Sequence, residues 1–321
     1  MPENTLSKII LLSLLVVLAF TACTPKTALP GNETAAASEM PASESPAATK
    51  ATQTETAVPL ATSTPDLRLD PADWQNWPII PTVSASARAI YEEGLANGAD
   101  PDRFSKVGDC QNITTYFLSI YDHPNFYELA PENGYLQEAI EHFAGSWSRE
   151  SAATAGGMNV ASVLSSLWAE DERCDSGESP LACELRLNQP SIVLISMEES
   201  WGNENKVETY EKYMRQVIET VIAAGAVPVL ATKADNIEGD HQINAAIARL
   251  AHEYDIPLWN FWRAVQPLPN HGLLQDGFHL TGPIYFNGPE NLKFGWPMRN
   301  LTALQTIDAV WRQLNDLPTH N

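Results

Sequence analysis

Two short stretches carry residues whose types and spacing could do chemistry. The first, Phe104-Ser-Lys-Val-Gly-Asp-Cys-Gln111, reads as a short strand end around Val107, turns at Gly108 and presents a thiol at Cys110. A glycine there allows a tight turn, which sets a small reactive side chain at the C-terminal edge of a short strand. The second, Asp276-Gly-Phe-His279, holds the only histidine of the chain with an aspartate three residues before it. A carboxylate at that spacing keeps an imidazole in one tautomer, and the imidazole then takes a proton from a nucleophile. Cys110 is therefore the candidate nucleophile and His279 the candidate base, with Asp276 orienting the ring. A thiol at a helix N-terminus beside an imidazole commonly has a lowered pKa, so a thiolate is expected near neutral pH. The competing readings are a thiol left in a site that no longer turns over, and an ordinary surface histidine.

Alternating strands and helices must position these stretches. Ser191 to Met197 is a continuous apolar run, as expected of a strand buried on both faces. Residues 208–224 carry Tyr210, Met214, Val217, Val221 and Ile222 on one helical face, and Gly225 stops that helix. Residues 226–231 form the next strand, where Pro228 needs a position that requires no amide. Asp240 caps a helix whose apolar face is Ile243, Ile247, Leu250, Ala251 and Tyr254. Residues 256–261 predict another strand. Val160, Val163, Leu164, Leu167 and Trp168 predict a helix after Gly156-Gly157, and Asn300 is the expected cap of a last helix with Leu304, Ile307, Trp311 and Leu314 inward. This alternation predicts a parallel sheet with helices on both faces. Ligands of such sheets sit outside the carboxyl ends of the strands, so topology alone can bring Cys110 and His279 to one edge. The chain has no internal repeat, Walker loop, dinucleotide fingerprint, HExxH or CxxC, and it lacks the Gly-x-Ser-x-Gly elbow of α/β-hydrolases.

Gly108-Asp109-Cys110 and Asp276-Gly-Phe-His279 resemble the first and last blocks of the SGNH (GDSL) hydrolase superfamily, over roughly residues 80–315, with cysteine where the family has its serine. The resemblance implies a three-layer α/β/α sandwich, flavodoxin-like, with a doubly wound parallel sheet of about five strands. It implies an ester or acyl hydrolase acting on acylated carbohydrate or lipid. Cys110 would be the nucleophile through a thioester, and no metal or organic cofactor is needed. It places Asp109 and Gly157 (Gly156 less favoured) among the groups that bind substrate or stabilise the oxyanion. Backbone donors of that kind are worth several kcal/mol to a developing oxyanion. The family's Gly-x-Asn-Asp block is replaced by Met197-Glu-Glu-Ser-Trp201, so the oxyanion asparagine falls on Glu199 or Ser200, depending on a one-residue register choice. Ser200 can donate; an ionised Glu199 cannot. Asn203 and Asn205 are possible substitutes from the loop. Residues 281–299, with Tyr285, Phe286, Phe294 and Trp296, separate His279 from the last helix. They suit a sugar-stacking loop or lid, or a packed cover over the sheet edge. The alternative to a hydrolase is a catalytically degenerate SGNH-fold binding domain of the cell envelope. A plain envelope spacer would leave Cys110 idle.

The N-terminus reads as a targeting signal. An apolar run from Ile9 to Phe20 follows Lys8, too short for the roughly 20 residues that a membrane span needs. It ends in Phe20-Thr-Ala-Cys23, which looks like a bacterial lipobox and implies removal of the signal and lipidation of Cys23. An ordinary secretory signal cut near Ala22 is the alternative. Residues 1–23 are thus read as signal and lipobox, 24–66 as a disordered Thr/Ser/Pro/Ala-rich tether, and 67–321 as the SGNH-like domain. A flexible tether of that length reaches roughly 35–40 Å. An exported protein pairs its cysteines, and Cys174 and Cys183 flank a short polar loop, so these two are the expected disulfide. The formal charge of −21 argues against nucleic acid and against an anionic membrane surface as partners. The expectation is a monomer outside the bacterial cytoplasmic membrane, held to it by lipid alone, with a small-molecule or glycan ester as substrate. Sequons begin at Asn32, Asn112 and Asn300 and carry no special meaning in such a protein.

Overall fold

Four parallel strands form the sheet: β1 (Asp100–Gly108), β2 (Pro190–Ser196), β3 (Val227–Ala231) and β4 (Leu258–Trp259), in the spatial order β1-β2-β3-β4. This computed structural model describes residues 66–197 and 206–320. Every residue of β2 and β3 is buried, as their unbroken apolar runs require. Pro228 pairs in register with Val193 of β2, and its missing amide falls on the other side of β3. There the Leu230 and Thr232 amides bond to Pro257 O and Trp259 O, and the ladder to β4 starts only at Leu230.

The fifth position of the expected sheet is occupied by a fragment. Gly108 N donates to Ala153 O at 3.0 Å, and Gly108 forms a single parallel bridge with Thr154. Side chains claim the neighbouring amides: Glu184 accepts from Ala152 N at 2.9 Å and Ser151 Oγ from Ala153 N at 3.0 Å. With those amides engaged, no ladder extends. Counting this fragment, the chain leaves β1 to one side, then crosses back to lay β2 on the other. The reversal makes the C-terminal edge between β1 and β2 the topological switch point, where ligands of doubly wound sheets bind.

Helices cover both faces. α1 (Ala85–Ala96), α2 (Gln137–His142), α6 (Phe261–Val265) and α7 (Gly295–Leu314) pack on Phe104, Ile192, Leu194, Val229 and Trp259. α3 (Pro180–Asn188), α4 (Val207–Ala223) and α5 (Gln242–Tyr254) pack on Val107, Val193, Ile195, Leu230 and Leu258. The alternation of these strand residues between the two clusters is the period-two signature of a sheet covered on both sides. A disulfide joins Cys174 to Cys183 in the first turn of α3. Among the described residues no helix is long and apolar enough to cross a membrane.

Several expectations are corrected. Residues 160–168 form two short 3-10 turns, Ser162–Leu164 and Ser166–Trp168, and no α-helix. Asn159 Oδ1 accepts from Ala161 N and Ser162 N, and Ser162 Oγ accepts from Asn159 N, so local side chains compete with helical bonds. Leu167 is left 92% exposed. The strand expected at 256–261 contracts to two residues because the Asn260 side chain caps α6, accepting from Arg263 N. His241, in left-handed conformation (φ 57°), occupies the cap position of α5, while Asp240 accepts from Gln242 N one residue away. Asn300 is not a cap: α7 begins five residues earlier, at Gly295.

Candidate active site

At the end of β1, Asp109 caps a single 3-10 turn, Cys110–Asn112, its Oδ1 accepting from Gln111 N at 2.8 Å. Asp109 and Asn112 are fully buried, and Cys110 is partly exposed and outside the disulfide. One turn of this kind builds no helix macrodipole, so the helix-terminus contribution expected for the Cys110 thiolate is absent. The Asn112 side chain crosses to β2, with Nδ2 donating to Ser196 O at 2.7 Å and lying 3.4 Å from Asp109 Oδ1. A Cβ on residue 108 would stand 2.1 Å from Asn112 Nδ2 and 2.3 Å from Ser196 O. Glycine is needed here for close approach, beyond the turn itself.

From α7, the buried Arg299 donates through Nη2 to Asn112 Oδ1 at 3.2 Å and to Ser196 Oγ at 2.9 Å. Its guanidinium carbon lies 4.5 Å from the Phe117 ring centroid, 5.1 Å from Phe261 and 5.4 Å from Trp259. One side chain thus joins the β1 turn, the end of β2 and the helix after the histidine loop.

The histidine loop is closed by an antiparallel bridge between Leu273 and Leu280 and by Leu274 N donating to His279 O at 2.7 Å. Asp276 Oδ1 accepts from the amides of Phe278 (2.9 Å) and His279 (3.0 Å), and Oδ2 meets His279 Nδ1 at 2.7 Å. The bond to His279, then the two amides, hold the Asp276 carboxyl down from 3.8 to about 2. An ionised Asp276 fixes the proton of neutral His279 on Nδ1, leaving Nε2 as the basic nitrogen. The pair is open to solvent, with side chains 57% and 48% exposed.

Both loops dock on the start of α7. Gly295 N donates to Thr281 Oγ1 at 3.0 Å and Trp296 N to Thr281 O at 3.0 Å, two residues beyond His279. Asn300 Oδ1 accepts from Leu118 N at 2.7 Å, and its Nδ2 donates to Ile284 O at 2.9 Å. Tyr116, in the segment after Cys110, stacks on Trp296 with ring centroids 5.6 Å apart. The insertion is a packed cover at Phe286, which exchanges backbone bonds with residues 126–128, whereas Tyr285 points outward at 44% exposure.

Gly157 has φ 79°, a left-handed conformation that suits glycine, and stands exposed beyond the fragment beside Gly108. Glu199 and Ser200 lie outside the described residues, as do Asn203, Asn205, Cys23 and all of residues 1–65. The structure brings Asp276 to His279 and brings Asp109 to Asn112, two residues from Cys110. Sequence reasoning missed Asn112, Ser196 and Arg299. Asn112 reads in the sequence only as a sequon, and Asn300 as a sequon and helix cap; both are fully buried. Arg299 carries a signal in its spacing, since it stands in one row with buried Ala303, Thr306 and Val310. Among the described residues the one cluster of potential metal ligands is Cys174, Glu178 and Cys183, whose sulfurs are spent in the disulfide.

No family model and no curated protein matches the chain. Six chains of solved structures match, among them a GDSL-like lipase from Bacteroides thetaiotaomicron VPI-5482. It is 16% identical, with a TM-score of 0.41 over 69% of this chain and 97% of the lipase.

Proposed function

We propose that this protein is an SGNH-type ester hydrolase that acts outside the cytoplasmic membrane on acyl esters of carbohydrate or lipid. The observation that carries the reading is the 2.7 Å Asp276–His279 bond in a loop docked on α7, the helix whose Arg299 also holds the Cys110 turn through Asn112. In the first half-reaction His279 Nε2 takes the proton of the Cys110 thiol, and the thiolate so formed attacks the ester carbonyl carbon. A C–S bond forms and the carbonyl electrons move to oxygen. Collapse of that intermediate breaks the C–O bond, and the leaving alkoxide takes the proton from His279 Nε2. In the second, water attacks the thioester while Nε2 takes its proton, and the acid leaves as the thiolate is regenerated. Gly157 N and a donor from residues 199–200 are assigned to the oxyanion. Lipid on Cys23 holds the protein to the membrane, and the segment 24–66 spaces the domain from it; the lipobox-like Phe20-Thr-Ala-Cys23 supports this.

Incubation with p-nitrophenyl acetate tests the reading, wild type beside Cys110→Ala. Hydrolysis that disappears in the variant supports it, and equal rates refute it. A second reading, a binding domain without turnover, is favoured by Glu198-Glu199 within the block that replaces the family's Gly-x-Asn-Asp. It predicts that a non-hydrolysable ester analogue binds while no ester is turned over.

A further inference from the structure

Arg299 is fully buried on an element that carries neither the candidate nucleophile nor the base. A guanidinium never sheds its proton in a protein, so its charge stands inside the fold and must be compensated there. Three aromatic rings surround it, and its Nη2 reaches two groups of the switch point, Asn112 Oδ1 and Ser196 Oγ. The Asn112 amide therefore stands between a cation and an anion. Its oxygen faces Arg299, and its nitrogen lies 3.4 Å from the buried carboxylate of Asp109, the residue next to Cys110. A carboxylate adjacent to a thiol disfavours the thiolate, and a cation coupled to that carboxylate offsets the effect.

We propose that Arg299 is a positioning residue for the Cys110 turn, which fixes Asn112 against the end of β2 and balances the Asp109 charge beside the thiol. The proposal rests on the assignment of Cys110 as nucleophile, but it concerns the state of the thiol and is measured without ester turnover. Among the described residues the charged groups of this edge are Asp109 on the turn, Arg299 from α7 and the Asp276–His279 pair; Glu198 and Glu199, next in sequence after β2, lie outside the described residues. Asp109 opposes thiolate formation. Arg299 is the permanent cation on the other side.

The test is the pH profile of iodoacetamide alkylation at the Cys110 peptide of the full chain, read by mass spectrometry. Wild type, Arg299→Lys, Arg299→Met and Ser196→Ala are compared, with near-UV circular dichroism to establish folding. Arg299→Met is expected to move the midpoint up by about one pH unit or more and to slow alkylation at neutral pH about tenfold. Arg299→Lys, which keeps the charge and loses the planar fork, restores most of that shift. Ser196→Ala deletes one oxygen and keeps a folded comparison should Arg299→Met fail to fold; a smaller shift in the same direction is expected. A profile unchanged in folded Arg299→Met, or unchanged in Ser196→Ala when Arg299→Met does not fold, overturns the proposal. A shifted profile in a protein without esterase activity keeps the positioning role and removes the hydrolase reading. A flat profile in an active esterase does the reverse.

Discussion

Asn112 Nδ2 reaches Ser196 O at 2.7 Å across the α-carbon of Gly108, so the first residue of the Gly-Asp-Cys block is a passage for the side chain four positions on. The glycine, the asparagine and the end of β2 form one unit at the switch point. Cys110 is carried by the turn that this unit anchors.

Gly108→Ala follows directly from that relationship. The added methyl collides with a backbone oxygen and a fully buried amide, neither of which has room to retreat. Overpacking of this kind costs about 1–3 kcal/mol, a fall in Tm of about 2–4 °C per kcal/mol for a domain of this size. Cys110 alkylation should change with it. Gly134→Ala, where a Cβ meets open space, is the matched control. Equal melting of the two variants would show that the crossing is not needed.

The Asp276 carboxyl, held down from 3.8 to about 2, titrates below its unfolded value. Its bond to His279 is therefore fully present above pH 3.8 and is lost only as the pH falls through about 2. The acid limb of ester hydrolysis thus belongs to a group other than Asp276. Asp276→Asn leaves the geometry and removes the charge that fixes the tautomer, a change worth about 10⁴-fold in kcat in hydroxyl-nucleophile triads. A smaller loss is expected here because a thiolate needs the base less. A pH–rate profile of both proteins checks this, and an acid limb that vanishes in Asp276→Asn would contradict it.

Lys106 is a buried residue of β1, its Nζ donating to Trp147 O at 2.9 Å and Thr114 Oγ1 at 3.1 Å. Burial pushes its ammonium down from 10.5 to about 7, against an opposing pull from Glu184. Between those values the unfolded chain holds a proton that the folded one lacks, so stability rises with pH, and the gain is lost as pH falls through about 7. Relative to Lys106→Met, the wild type should gain stability from pH 7 to pH 10, on the order of a few kcal/mol. Denaturant melts of both across that range measure it. A constant difference would mean that Lys106 stays charged when folded.

The central elements were legible because their patterns come from burial on fixed faces. The apolar run at 191–197 and the face from Tyr210 to Val221 could hardly be anything other than a buried strand and an amphipathic helix. The Asp276–His279 pair was legible because three residues of one turn carry all of it. What escaped depends on distant partners. Arg299 and Asn112 are 187 residues apart, and nothing local in Asn-Ile-Thr distinguishes a bridging amide from a sequon. The false helix at 160–168 had the right spacing, but Ser162 and Asn159 satisfy amides locally.

Membrane attachment is expected to follow Cys23. Cys23→Ser should release the protein from the membrane fraction or block its processing. Unchanged fractionation of that variant, together with an unlipidated N-terminus in the wild type, would remove the anchor from the account.

The central claim is that Cys110 becomes acylated. Rapid acid quench of the protein during p-nitrophenyl acetate turnover, followed by peptide mapping without reduction, tests it most directly. The account predicts an acetyl group on the Cys110 peptide, released by hydroxylamine as a thioester is, and more of it when His279→Ala slows deacylation. Ester hydrolysis with no acetyl on Cys110 at any time, in either protein, would contradict it.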